Sequence, residues 1–300
     1  MRVLVTGASG LIGRHTLDAL RLANHSVRTF QRAPLPDTDC VSGDVTTDLA
    51  ALCRAAQGCQ ALVHLAGRGD VGASRRDPVG YAELNAGGAL HALEAAKASG
   101  AAFVLASSQR VYPLQPEACR EDAALAPDSP YGYAKWVAEL WCRMATEQFG
   151  VATRVLRFFS VYGPGQQAHG GSGVVAIFAR AARAGQPLLV QSAGRRDFTD
   201  ARDVARGILC AIDDARDKPT SHRVYNIATG HGTSFRELAE ALVDLSGSSS
   251  PIHEALLEPP GTDLVADVGR ARAELGYQAC ISLRDGLAHY LQWQSQQSCS

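Results

Sequence analysis

The chain has 300 residues, of which 46% are hydrophobic and 20% are charged, a balance typical of a globular protein with a sizeable core. Its formal net charge of −1 supplies no broad positive field, so we expect no nucleic-acid partner. No apolar run approaches the roughly 18 residues of a membrane span, and the first segment lacks a signal peptide's apolar core, so we expect a cytoplasmic protein without a membrane partner.

In the first half of the chain, short apolar runs rich in β-branched residues alternate with longer stretches of helical period. The runs predict strands at 3–5, 27–30, 61–65, 103–106 and 155–159, and the stretches between them predict helices at 11–23, 48–57, 79–99 and 131–149. This alternation predicts an α/β fold with a Rossmann-type, doubly wound parallel sheet. Both faces of such a sheet are covered, which explains the low polar content of the strands.

Beyond residue 163 the pattern loosens into a glycine-rich stretch, 163–173, which predicts a loop between two lobes or over a ligand. The later predicted elements are a helix at 173–184, a strand at 188–190, a helix at 203–215, a strand in "RVYNIATG", a helix at 234–246 and two C-terminal helices. We predict a Rossmann domain over 1–167, to which 202–230 returns. A smaller C-terminal α/β substrate lobe would comprise 168–201 and 231–300.

The eight cysteines include no Cys-x-x-Cys pair, and no histidine stands near them at the spacing of a metal site. We therefore predict free thiols and no bound metal.

A glycine-rich turn, "VTGASGLIGRH", follows the first predicted strand and opens the first predicted helix. Glycine at positions 7, 10 and 13 allows a tight turn and a close approach of the backbone to a pyrophosphate. The helix N-terminus adds free N–H groups and a positive dipole. We predict that Gly7, Gly10, Leu11, Ile12 and Gly13 bind a dinucleotide; alternatively, the glycines only let the helix pack closely on the sheet.

The end of the second strand indicates which dinucleotide binds, because a carboxylate there suits a ribose 2′-hydroxyl and an arginine suits a 2′-phosphate. The sequence reads "TFQRAP", with Gln31 in place of a carboxylate and Arg32 directly after it. This favours NADP slightly over NAD, unless Arg32 is only a solvated loop residue. Asp44, followed by Val45, comes after a further extended stretch, where its carboxylate could meet the adenine amino group.

Four motifs, "TGASGLIG", "HLAG", "LASSQRVY" and "YGYAK", stand in the order and spacing of the extended short-chain dehydrogenase/reductases. Within that family the chain most closely resembles the NAD(P)-dependent nucleotide-sugar epimerases and dehydratases, in particular members like UDP-glucose 4-epimerase. Segments 64–88, 156–166 and 195–208 extend the resemblance over nearly the whole chain. The resemblance implies a nucleotide-sugar substrate and a homodimer whose helices near 79–99 and 131–149 pair across a two-fold axis.

The resemblance also implies the residues of the site. Ser108, Tyr131 and Lys135 would form the catalytic set, and Tyr131 and Lys135 would also contact the cofactor. The other implied cofactor residues are Leu65, Ala66, Gly67, Asn85, Ser107 and Phe159.

The residues around Tyr131 support this assignment independently. Ser129 can cap a helix with Pro130 in its first turn, so that Tyr131 and Lys135 lie one turn apart on the same face. A tyrosine needs stabilisation of about 4 kcal/mol to act as a phenolate near neutral pH, and a neighbouring ammonium can supply part of it. The alternative is an inward-packed aromatic beside a lysine whose amine reaches solvent.

Two positions after Ser108 argue against dehydration of the substrate. The family's dehydratases carry an aspartate and a glutamate there, which act as acid and base. This chain has Gln109 and Arg110, and neither side chain performs that proton chemistry at neutral pH.

The resemblance also implies substrate residues, namely Ser108, Gln109, Ser160 and Arg196. Ser160 stands where the family usually has an asparagine that binds the diphosphate, and Arg196 matches an arginine that binds the same group. A second diphosphate arginine, usual before a Pro-Gly-Asp, is missing from "EPPGTDLVAD". Another arginine, such as Arg195 or Arg202, could take its role.

Three functions remain open at this stage. The first is an epimerase that acts on a nucleotide sugar through a transient ketone. The second is an NADPH-dependent reductase of a keto sugar nucleotide or a related ketone, favoured by Arg32. The third is a non-catalytic cofactor-sensing protein, which such a fold usually provides only after losing the tyrosine or the lysine.

Overall fold

A computed structural model describes residues 1–167, 173–255 and 262–297 of the chain. Its strands, in chain order, are β1 (Arg2–Thr6), β2 (Ser26–Gln31), β3 (Asp39–Ser42), β4 (Ala61–His64), β5 (Ala102–Ser108), β6 (Thr153–Phe158), β7 (Ser160–Tyr162), β8 (Leu188–Val190), β9 (Arg195–Arg196), β10 (Phe198–Asp200), β11 (His222–Ile227), β12 (Thr233–Ser234) and β13 (Ile252–Glu254).

The helices, in the same order, are α1 (Leu11–Leu22), α2 (Leu49–Ala56), α3 (Val71–Arg76), α4 (Pro78–Ala82), α5 (Gly88–Ser99), α6 (Pro130–Phe149), α7 (Val174–Arg183), α8 (Ala201–Asp217), α9 (Phe235–Ser246), α10 (Gly269–Leu275) and α11 (Leu283–Gln297). A π-helical turn at Glu83–Gly87 joins α4 to α5, and a 3₁₀ turn at Gln109–Val111 follows β5.

Seven strands form one sheet in the order β11-β6-β5-β4-β1-β2-β3, and each is parallel to its neighbours. The strand order reverses direction at β1, as in a doubly wound sheet. The predicted α/β class and Rossmann-type sheet are therefore confirmed. The carboxyl ends of β1, β4, β5 and β6 meet at one edge, which is where open parallel sheets bind ligands.

The alternation of side chains along each strand divides the core into two layers. Leu4 packs on the face covered by α2, α5 and α6, whereas Val3 and Val5 pack on the face covered by α1 and α8. Because successive residues of a strand point to opposite faces, an unbroken apolar run is what a doubly covered sheet needs.

A third apolar cluster lies outside the sheet. It joins α7, α9 and α11 through buried side chains such as Phe178, Leu238 and Leu287, and it also contains Phe198 of β10. Phe198 also lines the large cleft described below, so this cluster forms one wall of that cleft.

The predicted helix at 79–99 is interrupted by the π-helical turn. Asn85 lies within this turn, and its side-chain amide donates to the carbonyl of Tyr81 at 3.2 Å. The structure also has a helix that the sequence reading did not include, α3, whose N-cap Asp70 accepts from the backbone N–H of Ala73 at 2.8 Å. With six residues, α3 is too short to show a helical period.

Within the described ranges, no helix is both long and apolar enough to cross a bilayer.

Candidate active site

A cleft of about 910 Å³ opens at the carboxyl edge of the sheet. It brings together most of the residues predicted to act in the site, which are Gly7, Gly10, Leu11, Ile12, Gly13, Leu65, Gly67, Ser107, Ser108, Gln109, Tyr131, Lys135, Phe159 and Ser160. Segments that are more than 150 residues apart in the chain therefore line a single space.

The glycine turn after β1 is shaped for a phosphate group. Gly7 has a φ of +69°, and a Cβ at this position would lie 2.6 Å from the backbone nitrogen of Ala66. A Cβ on Gly13 would collide with the carbonyl oxygen of Gly7. Gly10 caps α1 without any side-chain hydrogen bond, so the first N–H groups of the helix remain available. The glycine turn and the first N–H groups of α1 therefore fit the pyrophosphate of a dinucleotide.

The predicted adenosine-end residues are not among those that line the cleft. Arg32 is exposed just beyond β2, while the side chain of Gln31 is buried and donates to the carbonyl of Ala33 at 2.9 Å. Hydrogen bonds from Thr46 lower the pKa of Asp44, and the positive charge of Arg32 adds to this effect. Arg32 and Asp44 are thus electrostatic neighbours.

Two further predicted residues support the site from behind. Val45 is buried under Gly88, and its carbonyl accepts from His91 at 2.9 Å. The side-chain oxygen of Asn85 accepts from the backbone N–H of Arg68 at 3.2 Å, so Asn85 holds the loop that contains Gly67.

Tyr131 and Lys135 lie on one face of α6, where the cap predicted for this helix is present: the Ser129 hydroxyl accepts from the N–H of Gly132 at 3.3 Å. The ammonium of Lys135 donates to the carbonyl of Ala106 at 2.8 Å, which fixes it below the end of β5. Ser108 ends β5 and caps the 3₁₀ turn that follows.

Burial dominates the acid–base properties of this pair. It raises the pKa of the Tyr131 phenol, while a hydrogen bond with Ser108 and the charge of Arg110 oppose the rise. Burial also lowers the pKa of Lys135 to about 8, and the Glu139 carboxylate opposes that shift. Burial thus favours the neutral form of both groups, although a pKa of about 8 leaves Lys135 mostly protonated at pH 7.

A buried network behind Lys135 was missed by the sequence reading. Glu139, one helical turn after Lys135, accepts from the Ser107 hydroxyl and pairs with Arg157 at 2.6 Å. Arg157 in turn donates to the Tyr112 hydroxyl at 2.7 Å, and Tyr112 donates to Asn226 at 2.8 Å. The available signal was an arginine within "VLRFF", a strand predicted to be covered on both faces.

Three of the four predicted substrate residues, Ser108, Gln109 and Ser160, line the cleft, and the fourth, Arg196, does not. Gln109 and Ser160 line the cleft together and are joined by a hydrogen bond of 3.2 Å from the Gln109 amide to the Ser160 hydroxyl. Arg196 donates to the carbonyl of Thr262 at 2.6 Å and lies over the ring of Phe235, beside rather than among the cleft-lining residues. In the segment predicted to lack a second arginine, residues 258–261 lie outside the described residues.

Among the described residues, no three His, Cys, Asp or Glu side chains are grouped so that they could hold a metal ion.

Residues 3–228 match the model of the NAD dependent epimerase/dehydratase family. The chain belongs to this family. The predicted resemblance is thus confirmed, and the chain is an enzyme of the extended short-chain dehydrogenase/reductase type.

Individual family members resemble the chain over nearly its full length. The UDP-glucose 4-epimerase of Mycolicibacterium smegmatis is 31% identical over 96% of both chains. MoeE5, solved in complex with UDP-glucuronic acid and NAD, is 30% identical, with a TM-score of 0.89 over 99% of this chain and 100% of its own. The UDP-glucose 4-epimerase of Thermus thermophilus, solved with NAD, is 27% identical, with a TM-score of 0.87 over 98% of both chains.

Replacing Lys135 with methionine should raise the free energy of unfolding at pH 7 by about 1–3 kcal/mol, because methionine avoids burying an ammonium. The native Lys135 loses its proton near pH 8, whereas an unfolded lysine does so near pH 10.5. Between these values the unfolded state binds more protons, so wild-type stability rises with pH and the advantage of the variant shrinks. Urea unfolding of both proteins at several pH values between 7 and 10.5 measures this difference.

The exposed Lys97 provides the control, since Lys97→Met should change stability by no more than about 0.5 kcal/mol at any of these pH values. A Lys135→Met variant that is less stable throughout, or whose advantage does not narrow with pH, would contradict the burial argument.

Proposed function

We propose that the chain is an NAD(P)-dependent epimerase of a nucleotide sugar, with Ser108, Tyr131 and Lys135 as its catalytic residues. The main observation behind the proposal is that one cleft is lined both by the glycine turn and by Ser108, Tyr131 and Lys135. The family and the nucleotide-sugar epimerases that resemble the chain support the same reaction.

The chain's own residues would handle the protons and the geometry of the reaction. A bound nicotinamide would supply the redox chemistry, by accepting a hydride from a sugar carbon and returning it. The Tyr131 oxygen would take the proton of the hydroxyl on that carbon, which becomes a ketone, and would return the proton at the end. The Ser108 hydroxyl would bond the same substrate oxygen. The ketone would rotate within the cleft so that its other face meets the nicotinamide. Reduction on that face would invert the configuration of the carbon.

Lys135 would support Tyr131 by its charge. Lys135 follows Tyr131 by one helical turn of α6, and its ammonium is anchored on the carbonyl of Ala106, so its position is fixed before any ligand binds. A positive charge there favours the phenolate form that accepts the proton.

A second candidate is a reductase that uses the same residues in the proton-donating direction. Arg32 favours it, because an exposed arginine just after β2 suits a 2′-phosphate and NADPH is the usual free reductant. A non-catalytic role has less support, because both Tyr131 and Lys135 are present and lie in the cleft.

We also propose that residues 1–167 and 202–230 form the cofactor domain, and that 168–201 and 231–300 form the substrate lobe. The two core layers on the parallel sheet and the separate cluster of α7, α9 and α11 support this division.

We predict that Tyr131→Phe lowers kcat by about 100-fold or more and leaves cofactor affinity nearly unchanged, because it removes the acid–base group and keeps the ring. Interconversion of UDP-glucose or UDP-glucuronate with its 4-epimer gives the rate, and quenching of protein fluorescence by the dinucleotide gives the affinity. The matched control is Tyr133→Phe, two residues along α6 on its exposed side, which should keep the wild-type rate.

A near-normal rate for Tyr131→Phe would remove Tyr131 from the mechanism. Interconversion without net consumption of dinucleotide supports the epimerase. Net oxidation of added NADPH by a 4-keto nucleotide sugar, without epimer interconversion, would replace the epimerase by the reductase.

For the cofactor, Arg32→Glu should shift the ratio of NADP to NAD affinity toward NAD by about 10-fold or more, since a carboxylate repels a 2′-phosphate and can accept from a ribose 2′-hydroxyl. Titrating both dinucleotides into wild type and variant measures the ratio. Unchanged affinities would show that Arg32 is a solvated loop residue.

A homodimer built on α5 and α6 is the remaining proposal. These helices expose large apolar side chains, Leu90 on α5 and Tyr133 and Leu140 on α6, which is a surface that pairing would cover. Light scattering at micromolar concentration should give about twice the 31.7 kDa of one chain, and Leu140→Asp should reduce it toward one chain. A single-chain mass for the wild type would end the proposal.

A further inference from the structure

A second cation stands at the reacting end of the cleft. Arg110 belongs to the 3₁₀ turn, two residues after Ser108, and lines the cleft together with Ser108 and Tyr131. Its side chain is only 20% exposed. Its positive charge opposes the rise in the pKa of the Tyr131 phenol, so the guanidinium and the phenol are electrostatic neighbours that line the same cleft.

The acceptors around Arg110 do not use all of its donors. Its Nη2 donates to a carboxylate oxygen of Asp128 at 2.9 Å. Arg75 competes for the same oxygen at 3.9 Å and also donates to the Asp128 carbonyl at 3.3 Å. Asp128 is 41% exposed, which weakens both pairs by solvent screening. The Nε of Arg110 is buried and has no hydrogen-bond partner among the described residues.

The Nη1 of Arg110 donates to no described residue and is not among its enclosed atoms, so it is the donor that a ligand in the cleft can meet, and the ligand that suits a guanidinium best is a carboxylate. The guanidinium presents paired N–H groups that match the two oxygens of a carboxylate, and such charge-assisted bonds are about twice as strong as neutral ones. The neighbouring Gln109 and Ser160 are neutral and already bonded to each other, so they suit hydroxyl groups rather than an anion. Arg110 is therefore the group next to Gln109 and Ser108 that suits an anion.

We propose that Arg110 binds a carboxylate of the sugar, and that the chain prefers nucleotide-linked uronic acids to the corresponding neutral hexoses. The inference rests on the proposed epimerase function and adds the substrate class to it. A uronic acid carries its carboxylate on the ring carbon next to a hydroxyl-bearing carbon. When Tyr131 and Ser108 hold that hydroxyl, the carboxylate lies a few bonds away, within reach of Arg110, which follows Ser108 by two residues on the 3₁₀ turn.

The test compares kcat/KM for UDP-glucuronate and UDP-glucose in the wild type and in Arg110→Gln. The wild type should prefer UDP-glucuronate. In the variant, the ratio of the two kcat/KM values should fall by about 100-fold, mainly through a higher KM for UDP-glucuronate, because one charge-assisted contact is lost. Arg110→Lys should recover part of the ratio, since it restores the charge without the fork.

Arg75 provides the matched control, because it contacts the same aspartate and does not line the cleft. Arg75→Gln should leave the ratio as in the wild type. Asp128→Asn removes the carboxylate that competes for Arg110, so it should lower the KM for UDP-glucuronate. Calorimetric titration of the wild-type protein with both nucleotide sugars gives the same comparison without any variant.

The outcomes separate the inference from the function on which it rests. If the wild type interconverts UDP-glucose at least as well as UDP-glucuronate, or if Arg110→Gln impairs both equally, the carboxylate site is overturned and the epimerase stands. If the wild type interconverts neither sugar with NAD or NADP, the proposed function fails. In that case, a preference for UDP-glucuronate in the titration would still support the binding site, and equal affinities would overturn it.

Discussion

The ion pair between Glu139 and Arg157 connects the helix that carries Tyr131 and Lys135 to the central sheet. Glu139 lies on α6 and Arg157 on β6, and both side chains are almost fully buried. Removing one member of such a pair leaves an uncompensated charge in the interior, which typically costs about 3–5 kcal/mol. The pair therefore locks α6, which carries Tyr131 and Lys135, to the central sheet, whose neighbouring strand carries Ser108.

The carboxylate of Glu139 also affects the pKa of Lys135. It accepts from Ser107 at the end of β5 and counters the loss of charge that burial imposes on Lys135. Arg157 continues the network to Tyr112 and Asn226, and Asn226 donates to the carbonyls of Cys119 and Asp267. The ammonium of Lys135 is thus balanced by a carboxylate whose own position is fixed by Ser107 and Arg157.

Much of the fold and part of the site could be predicted because their causes are local. Apolar runs define doubly covered strands, glycines define the turn after β1, and the Ser-Pro cap places Tyr131 and Lys135 on one face of α6. What was missed depends on contacts between distant segments. The partner of Glu139 lies on another element, and the position of Arg196 depends on how Thr262 and Phe235 pack against it. An arginine on a buried strand indicates that a buried carboxylate or hydrogen-bond acceptor lies nearby, because an unpaired charge is costly in the interior. The sequence alone does not indicate which residue that partner is.

The π-helical turn at Glu83–Gly87 also limits how the sequence can change in length. Such a turn accommodates one more residue than regular α-helix, and here the surplus residue lets Asn85 reach both Tyr81 and the loop at Arg68. Deleting one residue between 83 and 87 would give an uninterrupted helix of good local geometry. It would also remove the wider turn that carries Asn85, so the contacts of its side chain with Tyr81 and with the loop at Arg68 would be lost, while α4 and α5 would keep their faces. A deletion in this segment should therefore disturb the loop that borders the cleft more than it disturbs the helix itself.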